Sequence, residues 1–155
     1  MKKSIFILVS LFASVTLAQE YPTIDIINDS NIPITVIYDE CQSERVGVEI
    51  TPPSNCIENT AILHEKSSGN NFISYANRKE KDQNPNVLII KKIVSSLGEQ
   101  NFISFSSFNE INQLYEDDKK SFKLCYAFMV PPYSSFNNLV VLDNHGTSKF
   151  YCHRY

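Results

Sequence analysis

The sequence predicts a mainly β fold, most simply an antiparallel β-sandwich with one or two short helices. Several short segments alternate apolar and polar residues, which is the period of a half-buried strand. Residues 122–130 are apolar or small at nearly every position, which is typical of a strand covered on both faces. Two further segments have helical spacing, so an α+β fold with helices packed on an antiparallel sheet remains the alternative.

The covered strand at 122–130 anchors this prediction. Because side chains alternate along a strand, the two faces have different members. One face carries Phe122, Leu124, Tyr126, Phe128 and Val130, and the other carries Lys123, Cys125, Ala127 and Met129. Pro131 and Pro132 end the strand because proline has no N–H for the ladder.

Residues 1–18 have the pattern of a secretory signal peptide of bacterial style. Lys2 and Lys3 precede an apolar run over 5–17, and Ala18 offers a small residue at the cleavage site. An uncleaved membrane anchor is the alternative, but the run is shorter than the roughly 20 residues that span a bilayer. We therefore expect residues 19–155 to form a single disulfide-linked domain that is secreted or periplasmic, with no transmembrane segment after cleavage.

Composition excludes several classes of partner. Without Lys2 and Lys3 the 14 Lys and Arg residues fall to 12 against 17 Asp and Glu, a net charge of −5. Such a chain, with no basic run, is not expected to bind nucleic acid or an anionic membrane surface. The chain has only 4 glycines, all far apart, which excludes a glycine-rich nucleotide loop. We expect no cofactor.

Four cysteines follow the signal peptide, which in an exported chain implies two disulfides. Three connectivities are possible. We favour Cys41–Cys56 and Cys125–Cys152 because each closes a local loop, and local closure costs the unfolded chain less entropy. Their spacing matches no zinc module, so thiol ligation of a metal is disfavoured.

The first half of the chain is predicted to consist of strands and turns. An N-terminal hairpin is expected from the strands 24–28 and 33–38, joined by the turn residues 28–31. A polar loop over 39–44 holds Cys41. Further strands are predicted at 45–50, with Val46, Val48 and Ile50 on one face, at 56–63 and at 72–75.

The second half contains both predicted helices. Val87, Ile90, Val94 and Leu97 recur at helical spacing, and Pro85 and Gly98 suit the ends of a helix, so we favour a helix over 85–97. A strand is the rival, because valine and isoleucine are abundant. The remaining elements are a strand at 101–105, a helix from about 108 to 118, and strands at 139–142 and 149–154 joined by a turn at 143–146.

The candidate functional residues fall into two groups. Asp143, His145 and His153 could form an acid–base or metal cluster around the last hairpin, but we favour the simpler interpretation that they are exposed polar residues. Tyr133 and Phe136 lie on a proline-stiffened loop and are candidate contact residues, unless both rings fold onto the core. Serines are common, but none lies in a G-x-S-x-G motif.

The sequence alone does not determine the function. We favour a non-enzymatic binding protein, such as an adhesion, inhibitor or host-contact module, with a protein or glycan partner. A small secreted hydrolase or metal-dependent enzyme that uses Asp143, His145 and His153 is the alternative. Oligomeric state and partner identity are not encoded in any pattern that we find.

Overall fold

The computed structural model describes residues 23–46, 49–76, 86–103, 123–128 and 138–155. These ranges contain eleven β-strands and no helix, so the predicted mainly β class is confirmed. The strands are β1 (Thr23–Asn28), β2 (Ile34–Gln42), β3 (Arg45–Val46), β4 (Glu49–Ile50), β5 (Ser54–Leu63), β6 (Phe72–Ala76), β7 (Val87–Ser95), β8 (Gly98–Asn101), β9 (Tyr126–Phe128), β10 (Leu139–Asp143) and β11 (Tyr151–Arg154). Within them, no helical segment has the length and apolarity of a membrane span.

The strands form two main sheets. Sheet A has the order β11-β10-β1-β6, and sheet B has the order β5-β2-β7-β8, with β9 also paired to β7. Strands β1 and β10 run parallel, whereas the other paired strands are antiparallel. Strands β3 and β4 form a separate two-stranded ribbon.

The main core draws its side chains from both sheets. Sheet A contributes Ile24, Ile26, Val140 and Leu142, and sheet B contributes Ile34, Val36, Ile90 and Ile93, among others. Strand β1 alternates partly buried and buried residues, and β2 does so along its first half. Two sheets that share one apolar core in this way have the arrangement of a two-layer sandwich.

A second core cluster explains the apolar stretch at 122–130. Leu124, Tyr126 and Phe128 are buried with Cys41, Val87 and Ile89, in a cluster separate from the main core. Cys125 and Ala127, which alternate with them, are buried in the main core. The predicted burial of this strand on both faces is therefore confirmed over 124–128, whereas Lys123 is exposed.

The predicted helix at 85–97 is wrong, because this segment forms the strand β7 and the turn that follows it. The register of β2 with β7 shifts between Ile37 and Tyr38, so that Lys91 is an extra residue opposite the partner strand. This bulge places the buried residues Ile90 and Ile93 three positions apart, which imitates helical spacing. Gly98 has a φ of 118° at the start of β8 and does not end a helix. The second predicted helix, at 108–118, lies outside the described residues.

The predicted N-terminal hairpin is also wrong. Strand β1 pairs with β6 and β10 in sheet A, whereas β2 pairs with β5 and β7 in sheet B. Residues 29–33 therefore cross from one sheet to the other. The side chain of Asn28 is fully buried and donates hydrogen bonds to the carbonyl oxygens of Ile32 (2.9 Å) and His64 (2.7 Å), which fixes this crossing.

Two boundaries between Asp39 and Ile50 need correction. The predicted polar loop at 39–44 is in part the end of β2, which continues to Gln42 and includes Cys41. The predicted strand at 45–50 is instead the short ribbon of β3 and β4, in which Arg45 lies opposite Ile50. The predicted strands at 56–63 and 72–75 correspond to β5 and β6.

Both predicted disulfides are confirmed: Cys41 is bonded to Cys56, and Cys125 to Cys152. The first joins the neighbouring strands β2 and β5. The second joins the two sheets, because Cys152 lies on β11 of sheet A and the carbonyl of Cys125 accepts a hydrogen bond from the Ile90 N–H of β7 (2.9 Å). Two disulfides fit a protein of an oxidising, extracytoplasmic compartment.

Candidate functional site

The last hairpin brings the predicted histidine cluster together. Strands β10 and β11 pair antiparallel, with Asp143 opposite Tyr151 and Val141 opposite His153. Paired residues share a face, and the neighbouring residues Leu142 and Cys152 are buried, so Asp143 and His153 lie on the outer face of sheet A. The predicted turn is confirmed, with positive φ at His145 (45°) and Gly146 (74°).

The cluster is held by a polar contact between Asp143 and His145 and by contacts between aromatic rings. The Asp143 carboxylate Oδ2 lies 2.7 Å from His145 Nδ1, and the carboxylate side chain is 21% exposed. The His145 ring lies 5.2 Å from the Tyr151 ring and 5.6 Å from the His153 ring, between centroids. A carboxylate behind an imidazole is an arrangement that orients a base or a metal ligand.

The same cluster lacks the other parts of a hydrolytic site within the described ranges. No serine or threonine hydroxyl there donates a hydrogen bond to either imidazole, whereas an activated nucleophile requires one. Nor do three or more His, Cys, Asp or Glu side chains gather as metal ligands in that part of the chain. His64 follows β5 and is exposed. Tyr133 and Phe136 lie outside the described residues, so their contact role stays a prediction.

Strand β5 is a second candidate site, which the sequence did not identify. Among the described strands it lies at the edge of sheet B, paired only with β2. It is ten residues long and mostly exposed, and Ile57 and Ile62 are 65% and 66% exposed. Edge strands present unpaired backbone N–H and C=O groups, and natural proteins usually protect them with lysine, proline or bulges.

Strand β5 has little of that protection after its first residues. Between Ile57 and Leu63 it contains no lysine or proline, and Glu58 is its one charged residue. The Glu58 carboxylate forms an ion pair with the ammonium of Lys91, which also lies 3.5 Å from Asp39. Lys91 therefore offsets part of the negative charge that would oppose association at this edge.

The core beside β5 is incompletely covered. Ala61 of β5 and Ile73 and Tyr75 of β6 pack against the main core but remain partly exposed. The Tyr75 hydroxyl donates to the Glu40 carboxylate and lies 3.2 Å from the Tyr38 hydroxyl, which joins β6 of sheet A to β2 of sheet B. Burial and then the hydrogen bond to Glu40 raise the pKa of Tyr75, and burial also raises the pKa of Tyr38.

The start of β5 is fixed before any partner binds. The Cys41–Cys56 disulfide ties it to β2 beside the register shift between Glu40 and Gln42. Asn55 has a φ of 51°, and its side-chain amide donates to the Gln42 side-chain oxygen at 3.0 Å. A rigid edge loses less conformational entropy on association than a mobile one.

The sequence alone predicts the strand but not its position at the edge of the sheet. It predicted a strand over most of β5, but an alternating segment does not show which strand lies last in a sheet. In the sequence, nothing distinguishes the exposed residues Ile57 and Ile62 from other strand residues. Comparison with protein-family models, with curated proteins and with solved structures gave no match, so the proposals below rest on this chain alone.

Proposed function

We propose that this protein is a non-enzymatic binding module, and that it holds its partner by strand addition at β5. The observation that carries the proposal is the long, exposed edge with partly uncovered core residues beside it. Added strands gain main-chain hydrogen bonds from such an edge, and alternate side chains fill the neighbouring pockets. The proposal includes export through the signal peptide 1–18, cleaved after Ala18, to the periplasm or the medium, and the two disulfides support it.

The proposed occupant is an extended segment of a partner protein with apolar residues at alternate positions. Those residues would cover Ala61, Ile73 and Tyr75, while the other side of the added strand would lie next to the exposed Ile62. Apolar area removed from water contributes about 25 cal/mol per Å². A glycan has no backbone ladder to match this edge, so we favour a protein over a glycan.

A second copy of this chain fits the edge less well. In a symmetric pair, β5 of the partner copy would present its own inner-face residues between Ile57 and Leu63. Their positions opposite Tyr38 and Val36 identify those residues as Asn59 and Ala61. One is polar and the other is small, so neither covers Ile73 and Tyr75.

Site-specific photocrosslinking in the native organism tests the proposal. A photoreactive side chain at Thr60, on the exposed edge, should crosslink to a discrete partner polypeptide. Replacing both Ile57 and Ile62 by lysine should abolish that crosslink, because edge lysines oppose strand addition. The substitutions should leave the thermal midpoint nearly unchanged, since both side chains are already about two-thirds exposed.

Leu97 provides the matched control. It is 47% exposed in the turn between β7 and β8. A photoreactive group at Leu97 should capture no such partner, and Leu97→Lys should leave the Thr60 crosslink intact. Equal capture from both positions would contradict a specific edge, and a crosslink to this same chain would show self-association instead. Loss of the partner in Tyr133→Ala and Phe136→Ala alone would transfer the contact to that loop.

The enzyme alternative retains one specific observation, the contact of 2.7 Å between Asp143 and His145. A hydrolase would require His145→Asn and His153→Gln to abolish a measurable turnover while the fold stays intact. We rank it second because, in the described part of the chain, these side chains lie on an outer sheet face and form no hydrogen bond with a serine or threonine hydroxyl.

A further inference from the structure

We infer that the end of the β10–β11 hairpin binds a divalent transition-metal ion, with His145 and His153 as its two protein ligands and Asp143 behind His145. The inference is independent of the β5 edge. Strand β5 belongs to sheet B, whereas the hairpin lies at the edge of sheet A that is opposite to β6. It requires only that two imidazole nitrogens converge on one point. Water molecules would complete the coordination, because the described residues offer no third ligand at this point.

The separation of the two rings matches shared ligation. A metal–nitrogen bond is about 2.0–2.1 Å and a ring nitrogen lies about 1.2 Å from its centroid, so the ion would lie about 3.2 Å from each centroid. At a tetrahedral angle the centroids are then about 5.2 Å apart. The observed distance is 5.6 Å, with the ring planes inclined by 65°. The observed and expected centroid separations therefore agree to within about 0.4 Å.

Asp143 prepares His145 for this role. Its carboxylate Oδ2 lies 2.7 Å from Nδ1, so it accepts a hydrogen bond from the Nδ1–H group, and Nε2 then carries the free lone pair. Metal-ligating histidines almost always donate their second ring N–H to a carboxylate, a carbonyl or water. Asp143 thus acts as a positioning residue and not as a ligand, which agrees with the absence of a three-residue ligand group among the described residues.

Hydrogen bonds within the turn hold its backbone. The His145 N–H donates to the Asp143 carboxylate Oδ1 at 3.0 Å, which supports the left-handed conformation of His145. The Gly146 N–H donates to Asn144 Oδ1 at 3.2 Å, and the Thr147 N–H donates to the Asn144 carbonyl at 2.7 Å. Asn144 itself is buried. His153 is held by its pairing with Val141 in the strand ladder.

Two imidazoles select the class of ion. Imidazole suits Zn²⁺, Cu²⁺ and Ni²⁺, whereas Mg²⁺ and Ca²⁺ prefer carboxylate, carbonyl and water oxygens. We therefore expect Zn²⁺, Ni²⁺ and Cu²⁺ to bind, with Cu²⁺ tightest by the usual order of affinities. Mg²⁺ should not bind at this point.

Calorimetric titration of the exported protein, with both disulfides intact, tests the inference with ZnCl₂ and with MgCl₂. Zn²⁺ should bind at one site per chain, and amide shifts on addition of Zn²⁺ should be concentrated at 143–153. His145→Asn and His153→Gln should each weaken Zn²⁺ binding at least 10-fold. Asp143→Asn should weaken it about 10- to 100-fold, as expected for a partner that orients a ligand.

His64→Gln is the matched control, because His64 is exposed but belongs to the segment after β5. It should leave the Zn²⁺ affinity unchanged. Asparagine is used at position 145 because it tolerates the positive φ, so the turn should be retained. Unchanged Zn²⁺ affinity in both hairpin variants, or no Zn²⁺ binding by the wild-type protein, would overturn the inference. An unchanged affinity in Asp143→Asn would remove the positioning role.

Discussion

Asn28 shows how one polar side chain determines the path of the chain. It ends β1, is fully buried, and bonds through its amide nitrogen to two carbonyl groups beyond its own sheet. Its side-chain oxygen Oδ1 accepts hydrogen bonds from the Ser30 N–H (3.0 Å) and from the Ser30 hydroxyl (2.6 Å). Buried backbone groups need such partners, because an unpaired group costs about 1–3 kcal/mol.

Asn28→Ala should therefore lower the free energy of unfolding by about 3 kcal/mol, because several buried groups lose their partner together. Urea denaturation of the oxidised protein measures the change. Asn70→Ala provides the control: Asn70 is exposed, and its substitution should cost less than about 0.5 kcal/mol. Similar losses in the two variants would show that Asn28 does not hold the crossing between the sheets.

At the scale of elements, the two sheets meet at one edge through tyrosines. Tyr38 on β2 and Tyr75 on β6 share the Glu40 carboxylate, and burial is the largest cause of the raised pKa of each phenol. The folded protein thus holds both phenols protonated above the pH at which free tyrosine ionises, about 10. The unfolded chain releases these protons earlier, so folding becomes less favourable as pH rises.

We expect the free energy of unfolding to be unaffected by these groups below about pH 10 and to fall above it. Each tyrosine contributes a slope of at most about −1.4 kcal/mol per pH unit. Tyr75→Phe should make the fall shallower between pH 10 and 11.5, although it costs some stability at pH 7 through the lost hydrogen bond. Urea titrations of both proteins over this pH range measure the slopes. Identical slopes would show that the Tyr75 phenol ionises equally easily in the folded and unfolded chains.

In the molecule as a whole, the two disulfides stabilise different parts of the fold. Cys41–Cys56 closes a separation of 15 residues within sheet B, whereas Cys125–Cys152 closes 27 residues and joins the two sheets through the main core. The loop-entropy model gives about 3.0 kcal/mol for the shorter loop and about 3.5 kcal/mol for the longer one. The second pair also fills core volume that Cys→Ala would empty.

Replacing Cys125 and Cys152 together by alanine should thus destabilise the protein more than replacing Cys41 and Cys56. We expect losses of about 4 kcal/mol or more against about 3 kcal/mol. Chemical denaturation of each double variant, with its remaining disulfide intact, gives the comparison. The reverse order would show that the joined sheets depend less on their crosslink than the β2–β5 pair does.

The residue pattern alone was enough to predict the mainly β class, both disulfides and several of the strands. Alternation of apolar and polar residues predicted β1, β5, β6 and the last hairpin, because successive side chains of a half-buried strand face the core and the solvent in turn. The covered strand is predicted by a different pattern, an apolar or small residue at nearly every position of 122–130, and its burial is seen over 124–128. Loop-closure entropy was enough to pair the cysteines correctly. The residues of the proposed metal site were named because Asp143, His145 and His153 are near in sequence.

Strand pairing, and the point at which a bulge interrupts the alternation of apolar and polar residues, depend on tertiary contacts. The bulge at Lys91 changes the phase of β7, so its buried residues acquire helical spacing that no single-sequence period can distinguish from a helix. The buried contacts of Asn28 send β1 and β2 into different sheets, although they are neighbours in the chain. The open edge of β5 depends on sheet order, which arises from contacts between distant residues and is therefore absent from any local pattern.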